Sequence, residues 1–208
     1  MKIQTKSWLL VLVAAASLCD SAQAMVGVSV VGAGMLSKPK LKSGTPLAEL
    51  TTSSKLGLGG GALLDLSVGS KLAVEFGAIY AKSKFSFTSG TNQYVYSINT
   101  ITAPVTLWIK AVPFLSVGLG AFYQNAENKA EIETTTAAGV KTTATSNTGY
   151  SSSNYGAQAG LRFMFPMGAM TSLVVDGLYH YGLKDLDPTA GEYKTRDILA
   201  LVGLRFGI

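Results

Sequence analysis

Six charged residues stand alone in stretches that are otherwise apolar or small: Asp65 in GALLDLSV, Glu75 in LAVEFGAIY, Lys110 in VTLWIKAV, Arg162 in QAGLRFMF, Asp176 in LVVDGLY and Arg205 in VGLRFGI. Three are acids and three are bases. A charge withdrawn from water alone is costly, so a set balanced in this way is expected to pair with itself. The chemistry open to it is ion pairing or ion passage. We expect a packed plug of ion pairs, with an ion gate as the alternative. Nucleophilic and metal chemistry have little to work with. The chain holds one histidine, His180 in YHYGL, and one cysteine, Cys19. A metal site asks for a cluster of such ligands, and thiolate catalysis needs a cysteine in the mature chain. No catalytic residue, metal or cofactor is expected.

The elements that carry these residues have a period of two. In LAVEFGAIYAK, Leu72, Val74, Phe76, Ala78 and Tyr80 alternate with Ala73, Glu75, Gly77, Ile79 and Ala81. In NYGAQAGLRFMF, Tyr155, Ala157, Ala159, Leu161, Phe163 and Phe165 alternate with Gly156, Gln158, Gly160, Arg162 and Met164. Such alternation marks strands with two unlike faces. Eight are predicted, over about 26–37, 55–68, 71–87, 94–111, 114–124, 153–165, 172–183 and 195–208. Their connections alternate between long and short. Sequential antiparallel strands produce that alternation, and eight of them close into an up-and-down barrel without free edges. The longest connection, from about residue 125 to 152, extends the strands as a hairpin or stays mobile.

One face of these strands is bulky and apolar, as in Val26, Val28 and Val30 or Leu115, Val117 and Leu119. The other holds Gly, Ala, Ser, Thr, Gln and the single charges, which suits a narrow interior. A bulky face turned outward is tolerated only by lipid. Tyr80, Tyr94, Tyr96, Tyr123, Tyr155, Tyr179 and Tyr181 fall toward the long-loop ends, and Phe163, Phe165 and Phe206 toward the short-turn ends. They are expected to form the two interfacial girdles of a membrane barrel. Parity places the six charges and His180 inside, with His180 bonded to a neighbouring polar group. On the last strand Val202, Leu204 and Phe206 face lipid, while Leu201, Gly203 and Arg205 face the lumen. The fourth strand changes parity between Ile98 and Ile101 and contains Pro104, so a bulge is expected there.

The N-terminus is a targeting segment. Lys2 and Lys6 precede the short apolar run WLLVLVAAASL, and AQA at 22–24 is a small-x-small cleavage signal. Residues 1–24 are read as a signal peptide and 25–208 as one transmembrane barrel domain. A lipoprotein acylated at Cys19 is the alternative, but Leu18 is too large for that signal. The 208-residue chain has 17 Lys and Arg against 12 Asp and Glu. Removing Lys2, Lys6 and Asp20 leaves 15 − 11 = +4. There is no basic stripe interleaved with aromatics, so no nucleic-acid partner is expected.

The signal peptide, the eight alternating segments and the loop pattern together resemble a bacterial outer-membrane barrel of the eight-stranded OmpA/OmpX-like type. The segment TITAPVTLWIKAVPF resembles that family's proline-containing strand and turn. The terminal GLRFGI resembles the signal read by the barrel-assembly machinery, through Gly203, Phe206 and Ile208, with Ile where Phe is commonest. The resemblance implies outer-membrane location after cleavage near Ala24. Contact with membrane lipid and lipopolysaccharide is expected of an integral barrel, and a monomer is the default. Some barrels of this kind deacylate lipid A with a His two residues before a Ser. Here Gly182 stands at that spacing after His180. The expected function is a structural or surface-binding barrel with a filled lumen. A small ion channel or minor porin is the alternative, and a lipid-modifying enzyme a weaker one. Lys38, Lys40, Lys42 and Lys55 make the first long loop basic, against Glu49, and suit lipopolysaccharide phosphates.

Overall fold

The computed structural model describes residues 25–41, 51–89, 91–127, 129–147, 153–184 and 193–207. Cys19, the Ala24 cleavage site, Lys42 and Glu49 of the first long loop, and Ile208 lie outside them. Among these residues there are ten strands: β1 (Met25–Leu41), β2 (Thr51–Val68), β3 (Leu72–Ser89), β4 (Asn92–Val112), β5 (Leu115–Ala126), β6 (Lys129–Thr135), β7 (Lys141–Asn147), β8 (Ser153–Pro166), β9 (Thr171–Gly182) and β10 (Tyr193–Gly207). Eight of them form a closed antiparallel ring in the order β1-β2-β3-β4-β5-β8-β9-β10, with β10 returning to β1.

The stagger of the ring can be followed along one row of paired residues. Asp197 faces His180, then Gln158, Gly120, Thr106, Glu75, Asp65 and Gly27, and the row re-enters β10 at Gly207. One circuit therefore descends 207 − 197 = 10 residues. Stagger and strand number together set the tilt and width of a barrel, and at eight strands the interior is just wide enough for side chains to fill.

Alternation decides inside from outside as expected on β10. Leu199 and Leu201 are buried, while Ile198, Val202, Leu204 and Phe206 are exposed. The exposed set continues round the ring through Val30, Leu58, Val105, Leu107, Val117, Leu119 and Leu161. A belt of this size is at home only against hydrocarbon, so the fold is a transmembrane barrel. Tyr80, Tyr123, Tyr155, Tyr179 and Tyr181 are exposed above the belt, and Phe114, Phe163, Phe165 and Phe206 below it.

Four expectations need correction. First, the inner face is not uniformly small. Val31, Met35, Leu63, Ile79, Leu199 and Leu201 pack into a buried apolar cluster across β10, β1, β2 and β3. The opposite wall carries Thr102, Thr106, Gln124, Asn154 and Gln158, also buried. Glycines on the neighbouring strands leave the space that the large side chains fill.

Second, β4 has no bulge at 98–101. Its register against β3 is constant from Leu72↔Ile109 to Ser89↔Asn92. Pro104 instead leaves a gap in the pairing, at the positions of Gly77 and Ala78, with the same register on both sides. The proline has no N–H to give there. The shifts that do occur lie between Lys55 and Gly59 and between Lys110 and Val112.

Third, the apparent change of parity at Ile98 reflects a second core above the belt. The long connection forms the hairpin β6–β7, turning at Gly139 with φ 78°. β6 pairs with the outer end of β4 through Gln93–Ser97. Together with the outer ends of β2 and β3 this makes a five-stranded sheet beyond the ring. Phe85, Ile98 and Ala130 are buried in it, with Phe87, Tyr96 and Ile132 packed against them. Phe85 stacks on Tyr96 at 5.6 Å, and Phe87 meets both rings edge-on. Ile98 thus faces inward to serve this core.

Fourth, Tyr94 and Tyr96 lie in the outer sheet rather than in the girdle, because β3 and β4 continue almost to their turn.

Candidate functional site

The charged residues are assembled by register. Arg162 on β8 stands opposite Asp176 on β9, a favourable cross-strand pair. Asp65 on β2 stands opposite Glu75 on β3, an unfavourable one. Each of these two acids therefore needs a cation from elsewhere in the ring. Arg162 supplies Glu75 across the lumen, through Nη2 to Oε2, while its Nε and Nη2 also donate to Asp176 at 2.8 and 2.6 Å. Arg205 supplies Asp65 by a bidentate pair, Nε to Oδ2 at 2.8 Å and Nη2 to Oδ1 at 2.6 Å. The side chains of the first group are 3 % exposed or less, and that of Arg205 is 11 % exposed. Planar guanidinium groups are suited to such forked contacts, and the lost hydration is returned as charge-assisted hydrogen bonds.

Two features make the arrangement possible that the sequence did not single out. Trp108 donates from Nε1 to Glu75 Oε1 at 3.1 Å, and its ring lies 4.3 Å from the Arg162 guanidinium carbon. It orients both partners at once. Its position two residues before Lys110 on an alternating strand was the available signal. Gly27 is the second feature. A Cβ there would collide with both Arg205 Nη2 and Asp65 Oδ2. The pair crosses over β1 because that residue has no side chain. Gly118 likewise leaves room for the Trp108 ring, which a Cβ would meet at 2.6 Å.

Two predicted lumen residues are placed differently. Lys110 shares the inward parity but is exposed at the short-turn mouth, and among the described residues no carboxylate pairs with it. β4 ends two residues later, at Val112, so the side chain reaches water. His180 is fully buried, but among the described residues neither ring nitrogen has a hydrogen-bond partner, contrary to expectation. The ring instead lies flat on Phe122 at 4.4 Å. Among the described residues, Asn154 Oδ1, Gln158 Oε1 and Asp197 Oδ1 are likewise without partners in this outer half of the lumen. Buried water is the ordinary partner of such atoms.

Chemically, the lower layer is a set of buried ion pairs, two guanidiniums against three carboxylates. Among the described residues there is no cluster of metal ligands. The short-turn mouth beneath this layer is a cavity of about 300 Å³ bordered by Lys71, Lys110, Arg162 and Arg205.

No protein-family model matches the sequence, and comparison with curated proteins finds no match. Solved structures do match. OprG, an outer membrane protein from Pseudomonas aeruginosa, aligns over 89 % of this chain and 96 % of its own at 16 % identity, with a TM-score of 0.54. Ail, the attachment invasion locus protein of Yersinia pestis, was solved with the heparin analogue sucrose octasulfate. It aligns over 87 % of this chain and 99 % of its own at 16 % identity, with a TM-score of 0.47. A major outer membrane protein from Thermus thermophilus aligns over 87 % and 99 % at 13 % identity, with a TM-score of 0.47. The architecture is that of small outer-membrane barrels.

Proposed function

We propose that the protein is a monomeric, non-catalytic outer-membrane barrel with a closed lumen, which works through the surface it presents outside the membrane. The observation that carries this reading is the contrast between its two ends. The short-turn end carries buried, paired charges, while the long-loop end is built up into a five-stranded sheet with its own aromatic core. Short turns face the periplasm and long connections the exterior in barrels of this class. The ring closes within one chain, which supports a monomer, and His180 lying against Phe122 supports an interior without catalysis.

Lipopolysaccharide is the partner this surface suits. Lys55 and Lys84 are directly opposite each other on β2 and β3, a like-charged pair that is unfavourable without an anion. Lys82 and Lys84 follow Tyr80 of the girdle at alternate positions and so sit just above the hydrocarbon. Phosphates of the outer leaflet lie at that level. In the last strand, Phe206 is exposed to lipid and Gly203 is turned inward. This is the disposition expected of a strand read by the assembly machinery.

The alternative is a small channel, favoured by the partnerless polar atoms of the outer lumen. Planar-bilayer recording distinguishes the two. The closed reading expects no discrete conductance steps from the refolded protein, and reproducible steps would replace it with the channel. Binding to lipopolysaccharide vesicles should fall in Lys55→Ala/Lys84→Ala. Undiminished binding would remove lipopolysaccharide from the proposal.

A further inference from the structure

The short-turn mouth holds more positive charge than its carboxylates use. Four cations border the cavity, Lys71, Lys110, Arg162 and Arg205. The acids available to them are Asp65, Glu75 and Asp176, which leaves 4 − 3 = +1. The two guanidiniums already meet three carboxylates, so the excess resides on Lys71 and Lys110. Arg162 and Arg205 bond their carboxylates through Nε and Nη2 only, so among the described residues each Nη1 lacks a protein acceptor. Arg162 is nevertheless almost wholly withdrawn from solvent, since its side chain is 3 % exposed. Among the described residues, neither Lys71 nor Lys110 pairs with a carboxylate.

Register makes these donors converge. Ser116 on β5 stands between Lys110 on β4 and Arg162 on β8, paired with both. The Lys110 N–H donates to the Lys71 carbonyl at 2.8 Å, which ties the two lysines to one rim. Trp108 forms part of the lining. The result is a concave site with two fixed guanidinium donors at its floor, two exposed ammonium groups at its edge and a hydroxyl between them. Fixed cationic donors of this kind select oxyanions.

We infer that the short-turn mouth is a binding site for a small soluble oxyanion, a phosphate or a carboxylate. Arg162 and Arg205 provide the floor, and Lys71 and Lys110 close over the ligand. Such a site faces the periplasm and is independent of the outer sheet. The anion would neutralise the surplus charge and add a cap to the seal.

The test is titration of inorganic phosphate into the barrel purified in an uncharged detergent. Readouts are Trp108 fluorescence and the phosphorus line width, with sodium chloride of equal ionic strength as the blank. The only other tryptophan, Trp8, lies in the leader segment. A saturable change beyond the blank is expected, with affinity reduced about tenfold or more in Lys71→Ala/Lys110→Ala. Both lysines are exposed, so this variant keeps the fold, which heat-dependent gel mobility checks. Malonate in place of phosphate reports whether carboxylates share the site. Micelles doped with phosphatidylglycerol distinguish sources: phosphate binding that survives the lipid supports a soluble ligand, and competition by the lipid replaces it with a headgroup phosphate. A response no larger than that to chloride, or equal affinity in the double variant, overturns the inference.

Discussion

The lumen and the outer sheet both contain ion pairs, but they use them in opposite ways. In the lumen, Arg162 is held by two acids and Arg205 by a bidentate one, all nearly dry. In the outer sheet, Lys82 meets Glu131 at 3.3 Å and Lys141 meets Glu133 at 3.1 Å, with every side chain 38 % exposed or more. The chemical groups are similar and the distances comparable. What differs is the medium. Water screens the outer pairs and already solvates each partner, so their formation gains little. In the lumen, each charge depends on its partner for nearly all of its stabilisation. The outer sheet must therefore be held by Phe85, Phe87, Tyr96 and Ile98, whereas the lower lumen cannot lose one charge without exposing another to an apolar surrounding.

Mutations can break that contrast, and the largest effect is expected at its centre. Arg162→Ala leaves Glu75 and Asp176 facing each other unpaired and should lower refolding stability in lipid vesicles by about 3–5 kcal/mol. Replacing the three residues together, as Glu75→Leu, Arg162→Met and Asp176→Leu, should recover most of that loss. A triple variant as unstable as the single one would mean that the pairs contribute more than compensation for burial. Arg205→Ala should cost less than Arg162→Ala, because the mouth lets water reach Asp65.

Next comes the lipid face. Val202→Arg should cost about 2–4 kcal/mol if it lies near the midplane. Its neighbour Leu201 points the other way but is fully buried in the apolar cluster, so Leu201→Gln should cost about 1–3 kcal/mol rather than be silent. Urea titrations of the pair measure both sides of one strand, and a costless Leu201→Gln would contradict an apolar filling.

The smallest effect belongs to the outer sheet. Glu131→Ala should change stability by less than about 1 kcal/mol, and that difference should shrink further in high salt. A large, salt-insensitive loss would show that the outer pair is shielded like the inner ones. Separately, intact-mass measurement of the membrane-extracted protein should give a chain beginning at Met25. A lipid-bearing chain beginning at Cys19 would reassign the leader.

What could be read in advance was whatever alternation alone determines. On β10 the succession Val202, Gly203, Leu204, Arg205, Phe206 separates the two faces without knowledge of any other strand. The same logic located Glu75, Arg162 and Asp176 on the inner surface. Long-range contacts were not legible. Ile98 faces inward because Ala130 and Ile132 return to cover it from a hairpin some thirty residues away. The signal for that hairpin was present in the threonine-rich, β-favouring residues on either side of Gly139, but composition alone did not separate a strand pair from a mobile loop. The isolation of the His180 nitrogens was hidden for a similar reason, since it depends on Phe122 from β5. Lys110 lies at the inward-facing mouth but without the expected carboxylate, because parity gives a direction and no partner.

The ten-residue descent of the ring bears on how the barrel avoids closing wrongly. Sliding one strand by a single residue would turn its apolar face inward and be rejected at once. Sliding it by two preserves every inside and outside assignment, so neither the lipid belt nor the girdles would register the error strongly. The charges would. A two-residue slip of β10 against β1 carries Arg205 roughly 7 Å along the strand from Asp65, beyond hydrogen-bonding reach. A slip of β9 against β8 separates Asp176 from Arg162 in the same way. The paired residues therefore act as a register check on assembly. They distinguish the correct closure from its near copies at the step where hydrophobic patterning cannot tell them apart, and Gly27 keeps the place where first and last strands meet narrow enough for that comparison to be made.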